Sequence, residues 1–237
     1  MKEIKLPWWG KSSYIKKLIQ QDSFCAYPFI HLSSVPSGFV RPCCFFEGIL
    51  HKNPIDKFNL ANDSIQEIWN SEHLRRIRRQ MLQGKTLDAC KVCHEEEKNG
   101  GFSIRQRSIN EWAHKPNFKK LLQETINNNF KVPLPPSFLE LKPGSLCNLK
   151  CRMCNQFDST KVAAEMAELT KKYAGIKATS QSRIFDDSTF EVGFDISKIP
   201  DWDKNDKLWA EVEKILPHLE MLSLAGGEPV LLKQVHQ

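Results

Sequence analysis

The segment FLELKPGSLCNLKCRMC, residues 138–154, opens with a short apolar run, Phe138-Leu139-Glu140-Leu141, and closes with three cysteines, Cys147, Cys151 and Cys154. The run reads as a strand, so the cysteines fall in the loop that follows it. Four cysteines would close a tetrahedral zinc site or fill every corner of an iron–sulfur cluster. Three in a C-x3-C-x2-C spacing leave one metal position unclaimed by this loop, and an iron with an open position can bind and reduce a small molecule. Roughly 70 residues further on, Leu224-Ala225-Gly226-Gly227-Glu228-Pro229 sets a second apolar strand before a Gly-Gly-Glu-Pro turn.

Working outward, the clearest boundary is residues 127–137, NNNFKVPLPPS, where three asparagines and three prolines break any helix and favour an extended linker. Beyond it the chain reads as strand (137–142), cysteine loop (143–155), then a helix. In that helix Val162, Met166, Leu169 and Tyr173 form an apolar stripe suited to packing on a sheet. Leu208 to Leu216 reads as a short helix ended near Pro217, and Leu219 to Leu224 as the next strand. This is the β-α-β beginning of a parallel sheet. Residues 174–207 read as an ordinary surface excursion, and Asp186, Asp187, Asp195, Asp201 and Asp203 within it lack a calcium-loop pattern. On the other side of the linker, helix 71–83 carries Arg75, Arg76, Arg78 and Arg79. Leu74, Ile77 and Met81 make its apolar face, so the arginines read as a solvated one.

The triple and the GGEP turn, in this order and after these strands, resemble the radical S-adenosylmethionine (radical SAM) superfamily. The resemblance implies that Cys147, Cys151 and Cys154 hold a 4Fe-4S cluster whose fourth iron chelates the methionine end of SAM. Reductive cleavage would then give a 5′-deoxyadenosyl radical that abstracts a substrate hydrogen. Gly226 and Gly227 would let the backbone approach the methionine ammonium, with Glu228 adding charge complementarity and Pro229 completing the turn. The residue before the third cysteine is usually aromatic in this family; here it is Met153, whose thioether can pack against a purine. The hard chemistry belongs to the cofactors, so no side chain is assigned a catalytic role. The family's partial barrel uses six strand–helix units and this sequence holds about two. That reads either as a truncated or split product or as a short protein completed by a partner chain.

Five further cysteines precede the linker. Cys25, Gly38 and Cys43 stand in a C-x12-G-x4-C arrangement, Cys44 follows directly, and Cys90 and Cys93 form a C-x2-C. With FCAYPFIHL, GFVRPCC and SIQEIWNSEHLRRIRRQMLQGK around them, and with Ser64 as an N-cap and Gly84 as a helix stop, they resemble the auxiliary-cluster module called SPASM, or its shortened form, twitch. In most relatives the module follows the barrel; here it precedes it. The ligands implied are Cys25, Cys43, Cys90 and Cys93, with Cys44 pointing elsewhere or acting as a substitute. Zinc in the same four thiolates stays open, because sequence does not separate the two metals. The run CKVCH, residues 90–94, also matches a haem-attachment pattern, but that attachment belongs to exported proteins and leaves the upstream cysteines unexplained.

Across its 237 residues the chain is 41% hydrophobic, enough for a core, and this excludes wholesale disorder. A formal charge of +6 is too modest and dispersed to demand nucleic acid. The N-terminus, MKEIKLPWWG, has no signal-peptide core, and no apolar run approaches a membrane span. Eight cysteines without a secretion signal therefore predict metal chemistry in a reducing cytoplasm rather than disulfides. The fold expected is α/β: a small cysteine-rich α+β cluster domain over 1–130, then over 131–237 the first β-α-β units of an incomplete (β/α)6 barrel. The function expected is that of a radical SAM enzyme acting on a peptide or protein. A carbohydrate or other small metabolite, or a non-enzymatic iron–sulfur or zinc module, are the alternatives. An electron donor such as flavodoxin or ferredoxin would be its partner.

Overall fold

A four-stranded sheet joins the two halves of the chain in the computed structural model, which describes residues 17–172 and 202–233. In chain order the strands are β1 (His31–Ser34), β2 (Val40–Arg41), β3 (Phe138–Leu141) and β4 (Met221–Leu224). Their spatial order is β2-β1-β3-β4: β2 runs antiparallel to β1, and β1, β3 and β4 are mutually parallel. The β3–β4 pair is the expected start of a parallel sheet, with Phe138 opposite Met221 and Leu141 opposite Leu224. β1 extends it on the other side, Leu32 opposite Leu139. The pairing of β1 with β3 was not among the features expected from the sequence. A strand edge left bare by β3 is a row of free backbone groups, and β1 satisfies it. No closed or partial barrel is present among the described residues, and no further strand lies beyond β4 there.

Alternation sorts the sheet into two faces. Leu32, Val40, Leu139 and Leu141 share one face and are buried in the main apolar cluster. His31, Ser33, Arg41, Phe138, Glu140 and Ser223 stand on the other.

The helices are α1 (Tyr27–Ile30), α2 (Ile65–Trp69), α3 (Glu72–Leu82), α4 (Lys91–Lys98), α5 (Ile104–Ser108), α6 (Pro116–Asn127), α7 (Thr160–Lys172) and α8 (Asp206–Ile215). Ser64 caps α2 in a capping box with Glu67, and Ser71 caps α3, so the stretch around SIQEIWNSEHLRRIRRQ is two helices rather than one. Leu74, Ile77 and Met81 face the core as their spacing predicts. Arg78 corrects the reading of a solvated arginine face. It is fully buried, its guanidinium over the Trp69 ring at 4.5 Å, and it donates to the carbonyls of Pro28 (2.7 Å), Trp69 (2.8 Å) and Phe130 (3.2 Å). The helix pattern marks the apolar side but not the carbonyls waiting beside it.

Helix α7 is a second correction. Its stripe does not seat on the sheet: Val162 and Met166 are half-buried and Leu169 is exposed, while Tyr173 lies outside the described residues. So do residues 174–201 of the long excursion, with Asp186, Asp187, Asp195 and Asp201. The excursion's end is core, not surface. Trp202 is fully buried, donates from Nε1 to Pro36 O (2.8 Å), and sits against Gly38 so closely that a Cβ there would meet its ring at 2.7 Å. With φ of +85° as well, position 38 admits glycine on two counts. Asp203 is buried too. From α8, Glu211 accepts hydrogen bonds from the backbone N–H groups of Ile65 and Gln66 (both 2.8 Å), adding a carboxylate to the start of α2.

Candidate metal centres

Three segments far apart in sequence bring four cysteines to one cavity. Cys25 leads into α1, its neighbours fixed by Ser23 Oγ donating to Met81 O (2.9 Å) and Arg105 donating to Phe24 O (2.9 Å). Cys43 follows β2. Cys90 and Cys93 lie at the start of α4, and Glu47 N donates to Ala89 O (2.8 Å) while Lys91 pairs with Glu47 (2.8 Å), tying the C-x2-C to the segment after Cys43. Cys25, Cys43, Cys90 and Cys93 all line a cleft of about 390 Å³, its open mouth included. Phe45, Phe46, Met81, Leu87 and Ile104 supply apolar wall, and His94 and Arg105 complete the lining. Cys44 is not part of that lining; Glu140, Arg41 and Lys142 are the charges that act on it.

The electrostatics suit thiols that await a cation. Burial pushes Cys25 up to about 11 and Cys90 up to about 12, and raises Cys43 and Cys93 as well. The sulfurs also oppose one another's ionisation, Cys25 against Cys43 and Cys90, and Cys90 against Cys93. A metal centre reverses that balance by supplying the missing positive charge. Arg105 contributes some, held by Glu97 through an ion pair and by Nε at 2.9 Å, with Ser103 also bonded to Glu97. Cys25 Sγ stands 3.5 Å from Ser108 Oγ. Among the described residues, no three His, Cys, Asp or Glu side chains are gathered at the spacing of a single bound ion. A donor set of four thiols spread round an apolar cleft fits a polynuclear iron–sulfur group, whose ligands sit at separate corners.

Residues 25–94 match a family model, SPASM, an iron–sulfur cluster-binding domain. This part of the chain is similar to a SPASM domain. The match starts on Cys25 and ends one residue past Cys93, so it spans all four cavity cysteines. SPASM domains are found in radical SAM enzymes. No curated protein and no solved structure matches the chain.

The second group of cysteines lies beyond the SPASM domain, where the loop leaves β3. Thr160 N donates to Ser145 O (2.8 Å) and pins the two ends of the loop together. Inside it Cys154 N donates to Cys151 O (3.0 Å), and the Asn155 side chain accepts from Phe157 N (2.8 Å) and Asp158 N (3.2 Å). Cys147 and Cys154 are half-buried and Cys151 is exposed; partial burial raises Cys154, with Cys147 and Cys151 among the charges near it. Met153 is 99% exposed, so it packs on nothing here. No further thiol stands with these three, which fits a cluster with one open iron.

The Gly-Gly turn has a use that the sequence did not reveal. Its backbone seats on the loop that leads to Cys147: Ala225 N donates to Leu141 O (2.9 Å) and Glu228 N to Leu146 O (2.7 Å). A Cβ on Gly226 would meet Gly144 O at 2.8 Å, and one on Gly227 would run into Leu146 O. The glycines are thus needed for strand-to-loop contact whether or not a ligand approaches. Glu228 and Pro229, both half-buried, complete the same turn. Among the described residues, no helix is long and apolar enough to cross a membrane.

Proposed function

We propose that the chain is a radical SAM protein carrying two iron–sulfur centres, one in the SPASM cavity and one on the Cys147 loop. The observation that carries this reading is the seating of the Gly226–Gly227 turn on residues 144–146, which sets a GGEP turn beside a three-thiol loop at the ends of adjacent parallel strands. Cys25, Cys43, Cys90 and Cys93 would hold the auxiliary cluster. Cys147, Cys151 and Cys154 would hold the other, leaving one iron for SAM. When bound, such a cluster would supply the electron for reductive cleavage of SAM.

The chain's own contribution is positional. Backbone around Gly226–Glu228 offers the methionine end a close, side-chain-free approach, and Glu228 offers a carboxylate to its ammonium. The apolar walls of the cavity would limit water at the auxiliary centre, and four thiolate ligands would leave it no open position, which favours electron transfer over substrate binding there. A peptide or protein is the proposed substrate class. The test is anaerobic reconstitution with iron and sulfide, then dithionite and SAM, with 5′-deoxyadenosine as the product measured. Production that depends on Cys151 supports the reading; iron-loaded protein that never yields 5′-deoxyadenosine, alone or with candidate partner chains, contradicts it.

A further inference from the structure

The sheet face opposite the core carries a polar row that neither cysteine site explains. Arg41, Ser33, Glu140 and Ser223 are direct register partners on β2, β1, β3 and β4, so their side chains rise in a line across all four strands. Arg41 is 2% exposed, yet no hydrogen-bond partner among the described residues reaches its Nε. No carboxylate of the described residues pairs with its guanidinium. Glu140, the carboxylate of the row, is engaged elsewhere: it accepts from Ser33 Oγ (3.1 Å) and lies 3.5 Å from His31 Nε2. A buried guanidinium whose Nε–H lacks an acceptor is costly, and an acceptor supplied by a ligand would remove that cost.

The row lies between the two cysteine groups. Cys44, adjacent to Cys43 of the SPASM cavity, senses Glu140, Arg41 and Lys142 together. Lys142 begins the loop to Cys147, and its Cβ is 3.5 Å from where a Cβ on Gly226 would stand. In this strip Arg41 and Lys142 face one carboxylate, leaving a surplus of a single positive charge. A carboxylate matches that surplus, and its planar pair of oxygens matches the guanidinium fork. A phosphate dianion would overcharge the strip.

We propose that Arg41 anchors a carboxylate group of the substrate on the polar row, between the SPASM cavity and the Cys147 loop. Assigning the carboxylate to a substrate rests on the radical SAM reading; the existence of a carboxylate site does not. The test uses the full chain, labelled with nitrogen-15 at arginine, titrated with sodium acetate against sodium chloride at fixed ionic strength. The Arg41 Nε–H resonance should shift saturably with acetate and less with inorganic phosphate. Arg78 and Arg105 serve as controls, since Nε of the first already bonds Pro28 O (2.7 Å) and Nε of the second Glu97 (2.9 Å); neither should move. Arg41→Lys keeps the charge but loses the fork, and should weaken acetate binding by about tenfold, the worth of one charge-assisted hydrogen bond. If that variant does not fold, the wild-type titration with its two controls decides. No saturable shift at Arg41, equal shifts at all three arginines, or tighter binding of phosphate overturns the proposal. Iron content measured on a reconstituted portion separates the two claims: iron without an acetate shift sinks the carboxylate site alone, and an acetate shift in a chain that takes up no iron sinks the cluster reading alone.

Discussion

Cys25 and Cys93 are buried within the fold and share their cavity with Cys43 and Cys90, whereas Cys151 is exposed on a loop held mainly at its ends. The closed site draws on segments 68 residues apart, as the positions of Cys25 and Cys93 give, and these are locked by backbone and ion-pair contacts independent of any metal. The open site uses eight consecutive residues, Cys147 to Cys154, and rests on the glycine turn and on the start of α7, where Ser159 Oγ donates to Leu149 O (3.2 Å) and Thr160 Oγ1 accepts from Cys147 N (3.3 Å). Its surroundings are correspondingly bare, with Leu149 and Met153 exposed. A four-thiol site that only passes electrons gains from enclosure, since burial keeps water from its sulfurs. A three-thiol site that must admit a second ligand cannot be sealed in the same way.

The contrast can be broken by substitution. Arg78→Met, on the helix that carries the cavity residue Met81, should destabilise the chain by about 3–5 kcal/mol, because three buried carbonyls lose a charged donor worth roughly 1.5–3 kcal/mol each before relaxation. Arg152→Met in the open loop should stay within about 0.5 kcal/mol, as exposed substitutions do. Urea denaturation of both variants checks this, and equal losses would mean the open loop is as integral as the cavity.

A smaller effect should separate the sites from the other side. Gly227→Ala forces a methyl into Leu146 O, so the turn must lift from the cysteine loop at a cost of about 1–3 kcal/mol. Iron at the Cys147 loop should fall while iron in the SPASM cavity remains, read by iron analysis of reconstituted protein. Loss at both sites would show that the turn supports the whole sheet.

The smallest effect belongs to the closed side and to acid. Burial, helped by Arg76 and His51, pulls His73 down to about 4, and its Nδ1 accepts from His51 N at 2.9 Å. The unfolded chain binds a proton near 6.5, so between those values it holds more protons than the fold. Stability present at neutral pH is therefore lost as pH falls from about 6.5 to about 4. Discounted for a partly solvated ring, the loss is roughly 1–2 kcal/mol. His73→Asn should flatten the melting-temperature profile over this window, although His31, lowered by its own burial, leaves a remainder.

What the sequence made legible was local. Strand β3, the cysteine spacings, the Ser64 cap and the paired strands β3 and β4 all follow from patterns within a few residues, where alternation and turn chemistry act. The partnership of β1 with β3 was hidden, because His31-Leu32-Ser33-Ser34 is short and half polar and nothing local names its neighbour. Arg78 and Trp202 were misread for the same reason. Their burial depends on carbonyls of Pro28, Phe130 and Pro36, which come near only when the chain folds. The convergence of Cys25, Cys43, Cys90 and Cys93 on one cleft was legible only through a family resemblance in their spacing, because separation along the chain does not give distance in space.

A closed four-thiol site and an open three-thiol site are proposed to hold separate clusters. Electron paramagnetic resonance of dithionite-reduced, anaerobically reconstituted protein tests it most directly, on wild type, on Cys90→Ala/Cys93→Ala and on Cys147→Ala/Cys151→Ala/Cys154→Ala. Wild type should hold about eight irons, two cubanes, and each variant about half. Addition of SAM should alter the spectrum of the wild type and of the Cys90/Cys93 variant, and leave that of the triple variant unchanged. Zinc in place of iron in the triple variant, or a SAM response that survives the loss of Cys147, Cys151 and Cys154, would contradict it.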